Sequence, residues 1–148
     1  LEENISIETV VIPHLEAYDV ASQVISYFES DTVLKLSRYL STQNRPPIKI
    51  GAVVEDGTIW IDDSLKEAFD VSDNDIRETV EIESRLLRSE SSRIYDKGAE
   101  EWFDGNILIV SDAEGYGFRE AAVAGSLKKK GARDSYLAAP AVAQVRVA

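Results

Sequence analysis

The hydrophobic and polar positions in the first third of the chain change between strand-like and helix-like spacing. Residues 8–13 form a short apolar run that ends at a proline, a pattern typical of a buried strand. The next segment predicts an amphipathic helix, with apolar residues at helical spacing: Val20, Val24, Ile25 and Phe28. Residues 32–40 begin with alternating apolar and polar positions, which predicts one half-covered strand.

A β-hairpin is predicted after the polar, proline-closed segment 41–47. Residues 48–62 contain two runs rich in β-formers on either side of Asp56-Gly57, and this dipeptide favours a tight turn. Asp62 and Asp63 fit a strand end or the cap of a short helix around 65–69. A cation site there is less favoured, because two adjacent carboxylates rarely provide the oxygen shell that calcium needs.

The second half of the chain predicts two helices and two strands. The first helix is long and acidic, begins after Ser72 as N-cap, and ends near Gly98. Its apolar stripe consists of Ile76, Val80, Leu87 and Ile94. Residues 107–110 form an apolar strand. The other helix begins at about Gly117 and ends in three lysines before Gly131, and residues 135–139 form a last strand closed by Pro140.

This order of elements predicts a single α/β domain over residues 1–148. Strand–helix–strand units at both ends imply right-handed crossovers, and therefore a mostly parallel sheet flanked by helices with one antiparallel hairpin inserted around Asp56-Gly57. In such sheets ligands bind beyond the carboxyl ends of the strands. The loops 13–17 and 111–117 are expected to lie at that edge.

Composition narrows the classes of function. The 148 residues are 44% hydrophobic, which is enough for one core, and the net charge of −11 disfavours binding to nucleic acid or anionic membranes. There is no cysteine and one histidine, His14, so thiolate and histidine-rich zinc sites are excluded, and no metal ligands are assigned.

No apolar run of membrane-spanning length and no signal peptide is visible, which predicts a cytoplasmic protein. The chain starts at Leu1 and lacks methionine, which is compatible with a segment of a longer protein.

The segment 107–120 combines a strand, a glycine-bearing loop and a helix start, as phosphate-binding loops do. Gly115 and Gly117 permit a tight turn with exposed amide donors at a helix N-terminus. The lysine of a P-loop is absent, and Glu120 stands where a dinucleotide fingerprint has its third glycine. From these residues alone, an ordinary strand-to-helix turn is the main alternative.

The wider order of segments resembles the type I phosphoribosyltransferase family. The resemblance runs without a gap from Thr32 to Pro140 and is most specific at GAVVEDG, residues 51–57. The matching segments are 32–41, 41–57, 81–95, 107–132 and 136–140. The resemblance implies a three-layer phosphoribosyltransferase-like domain, with the family's N-terminal helix and C-terminal extension missing.

In this family an acidic pair follows the apolar strand that matches residues 107–110 here. The pair holds the ribose of phosphoribosyl diphosphate, and the next loop wraps its 5′-phosphate. The resemblance therefore implies that Asp112 is the surviving catalytic acid, while Ser111 replaces the other. The family's loop threonines fall at Tyr116 and Arg119, and its glycine is Gly117. The implied phosphoribosyl loop comprises Ser111, Asp112, Ala113, Glu114, Gly115, Tyr116, Gly117, Phe118 and Arg119.

These departures weaken the expected anion site. The loss of hydroxyl donors removes hydrogen bonds to a phosphate, and the added Glu114 repels its charge. Both changes disfavour phosphate binding. Arg119 either contacts phosphate or pairs with Glu114 or Glu120. The family's pyrophosphate loop falls on His14, Leu15 and Glu16, where the imidazole is a weak substitute for arginine or a structural residue, and Glu16 repels pyrophosphate.

Two functions follow from the resemblance. One is a degenerate phosphoribosyltransferase-like protein that acts as a nucleotide- or phosphate-binding or assembly module, forming a homo-oligomer or binding a protein partner. The other is an active, divergent phosphoribosyltransferase that transfers a 5-phosphoribosyl group to or from a nitrogenous base, with magnesium bound to phosphoribosyl diphosphate. The altered loops favour the first. Trp60 and Trp102 are expected to pack or to form an interface.

Overall fold

A four-stranded parallel sheet forms the centre of the structure, a computed structural model that describes residues 6–28, 30–94, 102–112 and 116–139. Its strands lie in the order β2-β1-β6-β7 and all run parallel. Val10 in β1 lies opposite Thr32 on one side and Leu108 on the other. The strands are β1 (Thr9–Ile12), β2 (Asp31–Leu34), β6 (Gly105–Val110) and β7 (Ala132–Ala138).

The remaining strands form a separate antiparallel sheet in the order β3-β4-β5. They are β3 (Ser37–Ser41), β4 (Lys49–Val54) and β5 (Ile59–Ile61). The predicted hairpin is confirmed, with Gly57 at φ 90° in the turn and the Asp56 carboxylate accepting from the Thr58 amide at 3.0 Å. The hairpin lies outside the parallel sheet, because β4 pairs with β5 on one side and with β3 on the other.

The prediction of one strand over residues 32–40 was also wrong. Lys35 and Leu36 are both buried, 2% and 1% exposed, so the alternation of a half-covered strand breaks between them. β2 pairs with β1 in the parallel sheet, whereas β3 pairs with β4 in the antiparallel sheet. This two-residue link joins the two sheets.

In the described part of the chain four α-helices flank the sheets, and three of them have the predicted starts. The Asp62 carboxylate caps the second helix by accepting from the Leu65 amide at 3.0 Å. Ser72 Oγ accepts from the Asp75 amide at 3.0 Å, and Gly117 at φ 78° precedes the last helix. The helices are α1 (Tyr18–Ile25), α2 (Asp63–Ala68), α3 (Asp73–Ile94) and α4 (Phe118–Lys129). The predicted boundary residues Gly98 and Pro140 lie outside the described residues, and the last strand begins three residues before the predicted Ser135.

The core has three parts that follow these layers. α1 packs on one face of the parallel sheet, against residues such as Val10 and Val110. α4 packs on the other face and also touches β4, so that Val54 and Val123 share one cluster. α3 covers the antiparallel sheet through Leu87, whereas Ile94 of its predicted stripe is 42% exposed. The α1–sheet–α4 arrangement fits a three-layer α/β fold, and no helix among the described residues is long and apolar enough to cross a membrane.

Candidate functional site

The two loops of the predicted site meet at the carboxyl end of the parallel sheet. His14 follows β1 and Asp112 follows β6, and these strands are neighbours. His14 Nε2 lies 3.9 Å from Asp112 Oδ1 and 3.8 Å from Glu120 Oε1 in the first turn of α4. The expectation that both loops lie at this edge is confirmed for His14 and Asp112.

His14 is held in a defined orientation within the protein. The residue is 2% exposed, and its Nδ1 lies 3.1 Å from Glu16 Oε2. The pKa of Glu16 is lowered, chiefly by a hydrogen bond from its own backbone and with help from the nearby His14 and Arg119. An ionised carboxylate only accepts hydrogen bonds, so Nδ1 is the donor. Nε2 points away from this contact and has no hydrogen-bond partner.

Glu120 is a buried carboxylate at the start of α4. It is 6% exposed, and its Oε1 accepts a hydrogen bond from Ser111 Oγ at 3.0 Å, while Oε2 has no hydrogen-bond partner. Burial works to raise the pKa of Glu120, but the neighbouring His14, the backbone N–H of Glu120 and the Ser111 hydroxyl outweigh it, so this pKa is lowered. The group therefore stays ionised at neutral pH.

Arg119 pairs across the site with the opposite loop. Its Nη1 lies 3.8 Å from Glu16 Oε2, and its guanidinium lies over the Tyr39 ring, 4.4 Å from the ring centroid. Of the alternatives expected from the sequence, Glu114 lies outside the described residues, and the pairing with Glu16 was not anticipated. Burial raises the pKa of Tyr39, Arg119 opposes that rise, and the nearby Glu120 adds to it.

A cavity of about 330 Å³ adjoins His14, Glu16 and Arg119. Its other side is formed by β3 and α3, where Arg38 Nε donates to Glu83 and Arg38 Nη1 lies 3.7 Å from Glu90. Both arginines that line the cavity are therefore paired with carboxylates. The cavity presents no excess positive charge among the described side chains.

The other predicted loop residues have different environments. Phe118 is 5% exposed and stacks on Trp60 at a centroid distance of 5.2 Å, so it belongs to the core. Tyr116 is 68% exposed and stacks on Phe118 at a centroid distance of 5.3 Å. Leu15 is 45% exposed beside the cavity. Ala113, Glu114 and Gly115 lie outside the described residues.

The most specific stretch of the family resemblance, 51–57, has a structural role here. Lys35 Nζ lies 3.7 Å from Glu55 Oε1, and both side chains are buried. Asp56 accepts a hydrogen bond from Ser126 Oγ and lies 3.9 Å from Lys130 Nζ. These contacts join the hairpin to the β2–β3 link and to the end of α4. Trp60 packs as expected, whereas Trp102 is 69% exposed.

Glu120 is the site residue that sequence reasoning missed. His14, Asp112 and Glu120 each offer one ligand atom, and these atoms lie within 4.8 Å of one another, so the trio could hold a metal ion. One histidine with two carboxylates is a different ligand set from the thiolate and histidine-rich zinc sites that the composition excludes. An available signal was the position of Glu120 in the first turn of a helix that starts at the predicted site.

Comparison with known proteins supports the fold and leaves the function open. No protein-family model matches the chain, and no curated protein sequence matches it significantly. The crystal structure of TT1426 from Thermus thermophilus is similar, with a TM-score of 0.67 and 18% sequence identity, over 97% of this chain and 70% of that one. At this identity the likeness shows a shared α/β fold alone. The phosphoribosyltransferase resemblance and its site assignments stay predictions.

Proposed function

We propose that this chain is a phosphoribosyltransferase-like domain whose transfer site is degenerate, and that it acts as a nucleotide- or phosphate-binding or assembly module. The proposal is carried by one observation: the arginines beside the candidate site are paired with carboxylates. Arg119 is paired with Glu16, and Arg38 with Glu83 and Glu90. Phosphoribosyl transfer develops charge on a diphosphate leaving group, which needs free, preorganised donors and cations.

The negative charge around His14 also distinguishes two forms of the module function, binding of a nucleotide or phosphate and assembly with another protein. His14 is surrounded by Glu16, Asp112 and Glu120, so a diphosphate or a nucleotide phosphate would approach three carboxylates. Such repulsion is strong in a partly buried site, where water screens it poorly. Assembly with a second copy or with a protein partner is therefore favoured over binding of an anionic nucleotide.

An active, divergent phosphoribosyltransferase is the second candidate. This candidate is supported by the position of the two loops that the family resemblance implies. Asp112 of the phosphoribosyl loop lies at the end of β6, and the 13–16 loop lies at the end of β1, at the same edge of the sheet. Gly117 also has a left-handed backbone at the start of α4, and a Cβ there would meet no atom of the described residues within 4 Å. Space for a phosphate next to helix amides is compatible with binding.

Ligand-dependent melting tests the two candidates. A ligand that binds the native state raises the melting temperature by mass action. We expect no rise with millimolar phosphoribosyl diphosphate and magnesium, and light scattering is expected to show an oligomer, or a complex with a partner. A saturable rise that disappears in Asp112→Asn and Arg119→Ala, together with a monomeric protein, would contradict assembly and favour the enzyme, which an assay of phosphoribosyl transfer would then have to detect.

A further inference from the structure

We propose that His14 Nε2 and one carboxylate oxygen each from Asp112 and Glu120 form a binding site for a divalent transition-metal ion of the zinc class. This inference goes beyond the proposed module function, since it concerns a ligand that neither candidate function requires at these residues. It rests on the orientation of the imidazole, on the spacing of the three ligand atoms and on the local charge.

The imidazole has the orientation that metal-bound histidines adopt. A ligating histidine usually donates its other ring N–H to a carboxylate, which fixes the tautomer and directs the free lone pair at the metal. Nδ1 donates to Glu16 at 3.1 Å, so in the neutral imidazole the lone pair is on Nε2, the nitrogen that lies near Asp112 and Glu120. His14 is 2% exposed, and Nε2 has no hydrogen-bond partner. A buried polar atom without a partner calls for an explanation, and an ion supplies one.

The spacing of the ligand atoms is close to that of a bound ion. A tetrahedral ion with ligand bonds of about 2.1 Å separates its ligand atoms by about 3.4 Å. The two measured separations from Nε2 are 3.9 Å to Asp112 and 3.8 Å to Glu120, and all three atoms lie within 4.8 Å of one another. Small side-chain rotations close such a gap. Glu120 Oε1 is also oriented by Ser111 Oγ, as ligating carboxylates commonly are.

The charge of the cluster suits a divalent cation. Glu16, Asp112 and Glu120 contribute three negative charges, and Arg119 contributes one positive charge next to Glu16. With a neutral imidazole, these groups sum to −2, which one divalent ion balances. The same charges that disfavour a phosphate therefore favour a metal.

One nitrogen and two oxygen ligands indicate the class of ion. Magnesium and calcium prefer shells made of oxygen, whereas imidazole suits zinc and related transition metals. Three protein ligands leave a zinc ion one open coordination position, the arrangement of zinc sites that bind a water or a substrate. His14 also borders the cavity of about 330 Å³, which lies beside the site.

Calorimetric titration of tag-free, chelator-treated protein with Zn²⁺ tests the site, with native mass spectrometry for stoichiometry. We expect one Zn²⁺ per chain, at least tenfold weaker binding in His14→Gln and in Glu120→Gln, and about tenfold weaker binding in Glu16→Gln, whose carboxylate orients the imidazole. Glu83→Gln is the matched control: it removes one charge from the same cavity but no ligand, and should change the affinity less than twofold.

A spectroscopic readout keeps the test decisive if a variant does not fold. His14 is the single histidine of the chain, so its imidazole Hε1 resonance is unambiguous in NMR spectra. Saturating Zn²⁺ should shift this resonance in the wild type, and equimolar Mg²⁺ should not. The proposal is overturned by an unshifted resonance, by equal Zn²⁺ and Mg²⁺ affinities, or by an equal loss of affinity in Glu83→Gln, any of which indicates general attraction to an acidic surface.

Discussion

The hydroxyl of Ser111 donates a hydrogen bond to Glu120 Oε1 at 3.0 Å, and this contact joins the end of β6 to the first turn of α4. The two residues are nine positions apart, and both are buried. From the family resemblance, a ribose-binding acid is expected at the position of Ser111. In the structure the Ser111 hydroxyl instead bonds the carboxylate of Glu120, which lies beside His14.

Replacing Ser111 tests how much this contact stabilises the fold. A hydrogen bond to a buried charged group contributes about 1.5–3 kcal/mol. We expect Ser111→Ala to lower the free energy of unfolding by about 2 kcal/mol in urea denaturation at neutral pH. Ser92→Ala, at an exposed serine of α3 that bonds the Ser89 carbonyl, should change it by less than about 0.5 kcal/mol. Equal effects of the two variants would contradict the assigned role.

Acid sensitivity tests the ionised state of Glu120. Its pKa in the folded protein is lowered from the ordinary value of 4.5, so its contribution to stability is present above pH 4.5 and is lost as the pH falls through the folded-state pKa. Between about pH 5 and pH 3, wild-type protein should therefore lose more stability than Glu120→Gln. Glu16 and Asp56 also have lowered pKa values, but they titrate in both proteins and cancel in the comparison.

Urea midpoints measured over this pH range in the presence of a chelator supply the comparison. The chelator keeps metal binding from contributing to the difference. A pH dependence as steep in Glu120→Gln as in the wild type would show that this carboxylate is not held ionised by its neighbours.

Local signals in the sequence predicted much of the fold. Ser72, the Asp56-Gly57 turn and Gly117 each fix the backbone through contacts with residues only a few positions away, so the sequence pattern alone locates them. The division of the segment 32–40 between two sheets could not be predicted in this way. It depends on which strands β2 and β3 pair with, and on the buried Lys35 in the link between them.

The candidate site was predicted only in part for a similar reason. Asp112 and His14 follow apolar strands, and parallel strands bring their carboxyl ends together, so both could be assigned to one edge. The pairing of Arg119 with Glu16 connects the first turn of α4 with the 13–17 loop, about a hundred residues earlier in the chain, and it arises from tertiary packing. Glu120 was predicted only as a departure from a glycine motif and as a possible partner of Arg119, because its place in the site depends on Ser111 and His14 lying beside it.

The buried Lys35–Glu55 pair should show strong energetic coupling. Burial lowers the pKa of Lys35, the like charge of Lys130 lowers it further, and the carboxylate of Glu55, 3.7 Å away, opposes this. Removing one member of a buried pair deprives the other charge of compensation and typically costs about 3–5 kcal/mol. We expect Lys35→Met to be destabilising by about 3 kcal/mol, and Glu55→Gln to recover part of that loss when the two changes are combined.

A double-mutant cycle in urea measures this coupling. The matched control is the exposed Arg85–Glu81 pair on α3, whose nitrogen and oxygen lie 3.2 Å apart and whose coupling should be at most about 0.5 kcal/mol. Additive effects of Lys35→Met and Glu55→Gln would show that the two groups do not compensate each other within the fold.

Gly131 should be far less tolerant of a side chain than Gly57. Both residues have positive φ, 98° and 90°, so alanine at either position carries the strain of a left-handed backbone, about 1–2 kcal/mol. At Gly131 a Cβ would also lie 2.5 Å from the Phe103 carbonyl oxygen, whereas at Gly57 it would meet no atom within 4 Å. Because the clash is with backbone, side-chain rotation cannot relieve it. Overpacking typically costs at least about 1 kcal/mol, so Gly131→Ala should lower the free energy of unfolding by at least that much more than Gly57→Ala does. Urea denaturation curves with equal midpoints for the two variants would refute the close approach of Gly131 to Phe103.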